Sequence, residues 1–431
     1  MNTRILTMAL VGLTGLCGAR AFAQGAEAVD VLAAAPGPAT EAPASYDGVS
    51  NGLVDVATHT EDLEAFDGAE EIDEGLGPLY NAQACRECHQ SPISGAASQI
   101  TELRVGHLGR FGRFVNPSIP IDNGNQIIRG RSLVSDRAIC PNADFPNVHL
   151  QQRVPDSETI QTQRLSISTL GDGFIEAIPS RTIQQIAAEQ CRRSRGGICG
   201  EAVLVPVLEA GGRMRVGRFG WKGQHASLLS FSADAYLNEM GITSDLLPDD
   251  VTTLCDTVAD PEDTVDANGV GDVDRFARFI RATQVPPRDA AHATDPDSLA
   301  GEARFEQIGC VGCHVSTLVT APAGSVVNAG AFTVPEALGN KRIHPYSDFL
   351  LHDVGTGDGI VQNGGERTAR KLRTPPLWGM RVRGRLMHDG TSVSVEDAIE
   401  RHRGEASGAA EGFRRLRPSE RRQVVVFLNS L

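Results

Sequence analysis

Two pentapeptides, Cys85-Arg86-Glu87-Cys88-His89 and Cys310-Val311-Gly312-Cys313-His314, constrain this chain more than anything else in it. Thiols three positions apart on a helical turn can each bond one vinyl group of a single porphyrin. The histidine that follows then lies beneath the ring, where its imidazole reaches the iron. The same spacing can form half of a zinc site, but two copies, each preceded by a helical segment, favour two covalently attached haems c. The expected attachment residues are therefore Cys85, Cys88, Cys310 and Cys313, with His89 and His314 as iron ligands. Porphyrins this size replace part of an apolar core, which suits a chain with 46 glycines and only 5% aromatic residues.

Haem attachment of this kind belongs to oxidising compartments, and the N-terminus agrees. Arg4 precedes an apolar run from Ile5 to Leu16, and Ala21-Phe22-Ala23 has the form of a cleavage site. Residues 1–23 are expected to be a signal peptide, giving a periplasmic protein that begins at Gln24. An uncleaved anchor is the alternative, although the run is short for a membrane span. One of the nine cysteines, Cys17, falls inside the signal, and four serve the motifs. Cys140, Cys191, Cys199 and Cys255 remain, an even number that can form two disulfides in three connectivities. The preferred pairing joins Cys191 to Cys199 across a short Arg/Gly loop and leaves Cys140 with Cys255. A net charge of −14 argues against nucleic-acid binding and suits a cationic partner protein.

Residues 24–45, rich in Ala, Pro and Glu, read as an unstructured leader. A helix is expected over Thr60–Glu74, capped by Thr60 and leading through Gly75-Leu76-Gly77-Pro78 to the first motif. Residues 101–150 lack helical periodicity and read as loop or extended chain. Helices are expected over Ser180–Arg192, with Ser180 as cap, and over Leu228–Met240 and Val273–Ala282. A strand at Val203–Leu208 should enter a hairpin closed at Ala210-Gly211-Gly212. Pro286-Pro287 divides the chain into an N-terminal haem domain (46–290, with long insertions) and a C-terminal one (291–431). In the latter, a helix over Ser298–Ile308 feeds Cys310, and a last helix starts at Ser419. The expected fold is mainly α, with two cytochrome c-like haem domains and a loop-rich middle section containing a little β.

The sixth ligand of each iron separates an electron carrier from an enzyme. Outside the motifs the candidates include His59, His107, His149, His225, His292, His344, His352, His388 and His402. Ordered blocks narrow the choice. Gly75-Leu76-Gly77-Pro78-Leu79-Tyr80-Asn81, Gly173-Phe174-Ile175-Glu176-Ala177-Ile178-Pro179 and Gly217-Arg218-Phe219-Gly220-Trp221-Lys222 come first. Pro345-Tyr346-Ser347-Asp348, Leu351-His352-Asp353, Arg373-Thr374-Pro375-Pro376-Leu377-Trp378-Gly379, His388-Asp389-Gly390 and Ala398-Ile399-Glu400-Arg401-His402-Arg403-Gly404-Glu405-Ala406 follow. Together they resemble the di-haem oxidoreductase family, whose members are classed with peroxidases and sometimes called thiol oxidoreductases.

That family is similar to the bacterial di-haem cytochrome c peroxidases and to the di-haem enzyme that matures methylamine dehydrogenase. The resemblance implies that Trp221 relays electrons between the haems and that Glu239 is the acid–base catalyst at the N-terminal haem. His402 falls on the position of the second iron's other ligand, with Met387 as competitor, and Thr374 and Pro376 match a carbonyl segment that holds calcium. The block departs from the peroxidase pattern in placing Gly220 before the tryptophan and Phe231 near an expected glutamine. The implied activity is peroxidase-like: electrons from a redox partner enter at the C-terminal haem and reach hydrogen peroxide at the N-terminal one. A non-catalytic di-haem electron carrier, or a di-haem oxygenase or protein-modifying enzyme, is the alternative.

Overall fold

The computed structural model describes residues 27–431. The expected signal peptide lies outside the described residues. Among those described, no helix is long and apolar enough to cross a membrane.

Each half is organised around a crossed pair of helices. In the first, Val56–Asp67 packs on Asp272–Ala282. Phe66 meets Phe279 with ring centroids 4.6 Å apart, and Asp62, fully buried, takes a bidentate ion pair from Arg278 at 2.7 Å. The first of these helices starts earlier than expected, because the Asp55 carboxylate rather than Thr60 caps it through Thr58 N at 2.8 Å. It ends at Gly68, and Ile72–Glu74 forms a separate turn.

In the second half, Pro296–Gln307 crosses the terminal helix Pro418–Leu428. Gly301 makes that crossing close: a Cβ there would run into the Gln423 carbonyl. Phe305, Tyr346 and Phe427 pack edge to face around it, within a core that also holds Met380, Phe413 and Leu428.

The expectation of a mainly α fold is corrected. The described chain is 32% helix and 16% strand, with eleven α-helices and many small sheets. Much of the β structure lies in the segment read as loop. Thr101–Leu108 pairs antiparallel with Ile160–Leu165, from Thr101 opposite Leu165 to Gly106 opposite Ile160, and further short strands flank it. Such pairing joins residues distant in sequence, so local periodicity does not reveal it. The expected hairpin forms between Leu204–Val207 and Arg213–Val216, turning at Gly211 with φ +67° and Gly212 with φ +77°.

A second correction concerns residues 27–45. They lie along the body rather than free of it: Val31 bridges Val326, Thr40–Glu41 runs parallel to Lys341–Arg342, and Ala44 bridges Val285. Low hydrophobicity removes the drive to form a core, but these residues borrow backbone partners from the folded part. Asp30 also accepts the Ser180 amide at 2.7 Å. The helix Ser180–Arg193 therefore has its first free N–H satisfied from outside, not by Ser180 as a cap.

The disulfides are Cys140–Cys255 and Cys191–Cys199, the preferred pairing. Cys85, Cys88, Cys310 and Cys313 are unpaired.

Candidate haem sites

The second motif opens into a cavity of about 390 Å³. Cys310 and Cys313 line it, as do His314, His402 and Trp221. The His314 Nδ1 lies 3.0 Å from the Tyr346 carbonyl, and the His402 Nδ1 lies 2.8 Å from the Ala398 carbonyl. A carbonyl can only accept, so in each ring Nδ1 carries the proton and Nε2 keeps its lone pair. Burial holds both imidazoles below their ordinary pKa, His314 at about 4, and the nearness of His402 lowers His314 further. Two neutral imidazoles with unspent Nε2 atoms and two free thiols on one largely apolar cavity fit a thioether-linked porphyrin. Met387 lines the same cavity.

His352 also lines it, clamped between the Asp348 and Glu405 carboxylates at 2.9 Å each. It is thereby committed to an ion-pair network, and despite burial the two carboxylates raise its pKa to about 12.

At the first motif, Cys85–Cys88 forms a single helical turn. His89 is lowered to about 4 by burial, and its Nδ1 has no hydrogen-bond partner among the described residues. The backbone of Ala96 and Ile167 lies beside it, and the Phe66 ring is 6.5 Å away. A buried, neutral imidazole next to two unpaired thiols suits the same group.

Glu239 faces this motif, close enough that it and burial together push the Cys88 thiol to about 12. It stands on a π-helical turn, Tyr236–Met240, that extends the helix Leu228–Ala235; widened turns of this kind often occur at functional positions. Asn81 Nδ2 donates to its carboxylate at 2.8 Å, and the Asn81 amide donates to its carbonyl at 2.6 Å. Burial, and then the neighbouring Glu102, raise the Glu239 carboxyl to about 8. Glu102 goes the other way: burial opposes its ionisation, but the Arg104 guanidinium, 2.5 Å away, draws it below the ordinary value. Arg131 completes the group, donating to the Asn238 carbonyl at 3.1 Å. The pocket thus holds one protonated and one ionised carboxyl with cationic neighbours.

Sequence reading missed Glu102, Arg104 and Arg131. Their only local sign is that Glu102 and Arg104 alternate on one face of a strand, a pattern that solvated strands share.

Between the two sites, Trp221 Nε1 donates to the Leu165 carbonyl at 2.8 Å, and its ring meets His388 edge-on at 6.1 Å. Leu165, Ser166 and Ile167 line the second cavity, while the Ile167 backbone lies beside His89. The indole is therefore linked to both sites through three residues. His225 pairs with Asp234 at 3.1 Å and stacks on Phe231, and Asp234 in turn acts on Arg104 and Arg131 of the first pocket.

The calcium segment does not fit an ion. The Thr374 carbonyl accepts the Ser347 hydroxyl at 2.6 Å, and the buried Arg373 guanidinium stands 3.4 Å from it. A second cation there would meet like charge, and Pro376 is buried.

The family described as "Di-haem oxidoreductase, putative peroxidase" matches residues 145–431, two thirds of the chain. This chain belongs to the di-haem oxidoreductase family. The matched stretch holds the second motif, Trp221, Glu239 and His402, and starts after the first motif. No curated protein matches this di-haem oxidoreductase.

Several solved structures are similar to it, three of them as follows. Hydrazine synthase of Kuenenia stuttgartiensis covers 100% of both chains at 13% identity and TM-score 0.39. A MauG-like protein associated with microbial copper homeostasis covers 54% of this chain and 79% of its own at 16% and 0.30. The di-haem peroxidase BthA of Burkholderia thailandensis covers 94% of both at 12% and 0.31. Scores this low carry no argument about function.

Proposed function

We propose that this chain is a periplasmic c-type di-haem oxidoreductase that reduces hydrogen peroxide at the first motif with electrons received at the second. Reducing hydrogen peroxide to two waters consumes two electrons and two protons. Each haem, thioether-linked through its two cysteines, would supply an iron that exchanges single electrons. The remaining work falls to the chain.

The observation that carries this reading is the buried Glu239 carboxyl beside Cys88, protonated at neutral pH and fixed by Asn81. Breaking an O–O bond requires a proton on the departing oxygen, and a carboxyl with a pKa near 8 both holds that proton and gives it up. Glu102, held ionised by Arg104, can receive a proton from incoming peroxide or return one to Glu239. Arg104 and Arg131 favour negative charge developing on oxygen. Trp221, hydrogen-bonded to Leu165, is the proposed electron path between the sites, and His314 with His402 would close the second iron to substrate. The electron donor is proposed to be a small redox protein with a cationic docking face, matching the net charge of −14.

Glu239→Gln tests the reading. It keeps the shape and the Asn81 contact but removes the transferable proton. Peroxide turnover with a reduced donor is expected to fall by about 10²-fold or more, with both haem spectra intact. Undiminished turnover would remove Glu239 from the mechanism. An oxidised-state EPR spectrum with one high-spin and one low-spin haem is expected; two low-spin signals would favour an electron carrier.

A further inference from the structure

The loop that follows the Glu239 turn is strongly acidic. One oxygen from each of Asp250, Asp256 and Glu262 lies within 4.8 Å of the others. Both carboxylate oxygens of Asp250 are sealed from solvent and meet no hydrogen-bond donor. Glu262, only 7% exposed, commits Oε2 alone to hydrogen bonds, from the Thr243 amide at 2.6 Å and hydroxyl at 2.5 Å. That hydroxyl has one proton to divide between Glu262 and Asp260, which lies 2.6 Å from it. The charged groups acting most on Asp250 are Glu262, Asp260 and Asp256, all of its own sign. Buried carboxylates normally find a cation or a donor, and the Asp250 oxygens have neither among the described residues.

We propose that Asp250, Asp256 and Glu262 bind one calcium ion, separate from both haem sites and from the Thr374–Pro376 segment. The donors are all oxygen, which selects a hard cation over zinc or copper. Calcium is favoured over magnesium because it accepts an irregular set of protein carboxylates, whereas Mg²⁺ demands a near-ideal octahedron and keeps several of its waters.

The frame around the site is built. Cys255, next to Asp256, is tied to Cys140, and the Thr252 hydroxyl donates to Gln126 at 2.6 Å. Glu262 packs on Gly75, where a Cβ would come within 2.6 Å of its own. Thr243 follows Gly241, whose backbone lies against Gly77. The ion would therefore fasten the acidic loop to the two segments that carry Glu239 and lead to Cys85.

The test uses the full haem-loaded protein after chelator treatment, titrated with calcium chloride by calorimetry and melted with and without the ion. The wild type is expected to bind calcium and to melt higher with it. Asp250→Asn should lose one equivalent, or bind it at least tenfold more weakly. Its haem spectra should not change. Glu262→Gln should show the same loss of binding. No calcium binding or melting shift in the wild type at millimolar calcium would overturn the proposal. So would an undiminished number and affinity of sites in both variants.

Discussion

The Glu102–Glu239 pair gives the first pocket a pH dependence whose sign follows from the two carboxyls. Glu239 is raised to about 8, so it is protonated at neutral pH and loses its proton as pH rises through that value. If that proton serves the reaction, kcat/KM for peroxide should hold near pH 7 and fall tenfold per unit well above pH 8. Glu102→Gln removes the neighbouring charge that raises Glu239, so the falling limb should move to lower pH; a pH–rate profile checks both. An unmoved limb in the variant would mean that another group controls it. At the second site, His402 holds its Nε2 free through Nδ1 and the Ala398 carbonyl. His402→Ala should convert the second haem from low to high spin in the EPR spectrum. An unchanged spectrum would point to Met387, which lines the same cavity.

At the scale of elements, the crossed helix pairs set where each motif begins. Gly301 has no Cβ where Pro296–Gln307 meets Pro418–Leu428, and the Gln423 carbonyl fills the space. Gly301→Ala should force the helices apart and cost about 1–3 kcal/mol, read as a lower melting temperature with the haem still attached. An unchanged melting temperature would mean that the crossing adapts freely.

These helices were legible in the sequence because apolar spacing and proline stops are local signals, although the caps expected at Thr60 and Ser180 are not the ones the chain uses. The motifs were legible because thioether chemistry dictates their spacing. The strand Thr101–Leu108 was not, since its partner Ile160–Leu165 lies beyond a long intervening stretch. The pocket around Glu239 was hidden for the same reason. Family resemblance pointed to Glu239, but Glu102, Arg104 and Arg131 reach it only once that sheet has formed.

Over the whole molecule, residues 27–45 act as a strap. Ala28 donates to Met214 in the middle section at 2.9 Å, Val31 exchanges two backbone hydrogen bonds with Val326, and Ser45 donates to Val285. Composition misled here because a polar, proline-containing segment can be held by backbone pairing and one buried charge without a core of its own. That charge is Asp30, whose side chain is 5% exposed. It lies 3.4 Å from the Arg215 guanidinium, which is fully buried beneath the Glu176 and Ile178 carbonyls. Removing residues 24–45 would leave Arg215 without its carboxylate and the strands at Val326 and Lys341 with one neighbour fewer each. Losing one partner of a buried pair costs about 3–5 kcal/mol. The truncated protein should therefore melt several degrees lower, and Asp30→Asn in the intact chain should reproduce part of the fall. If truncation leaves the melting temperature unchanged, the strap contributes no stability, and Arg215 is satisfied by its carbonyl partners alone.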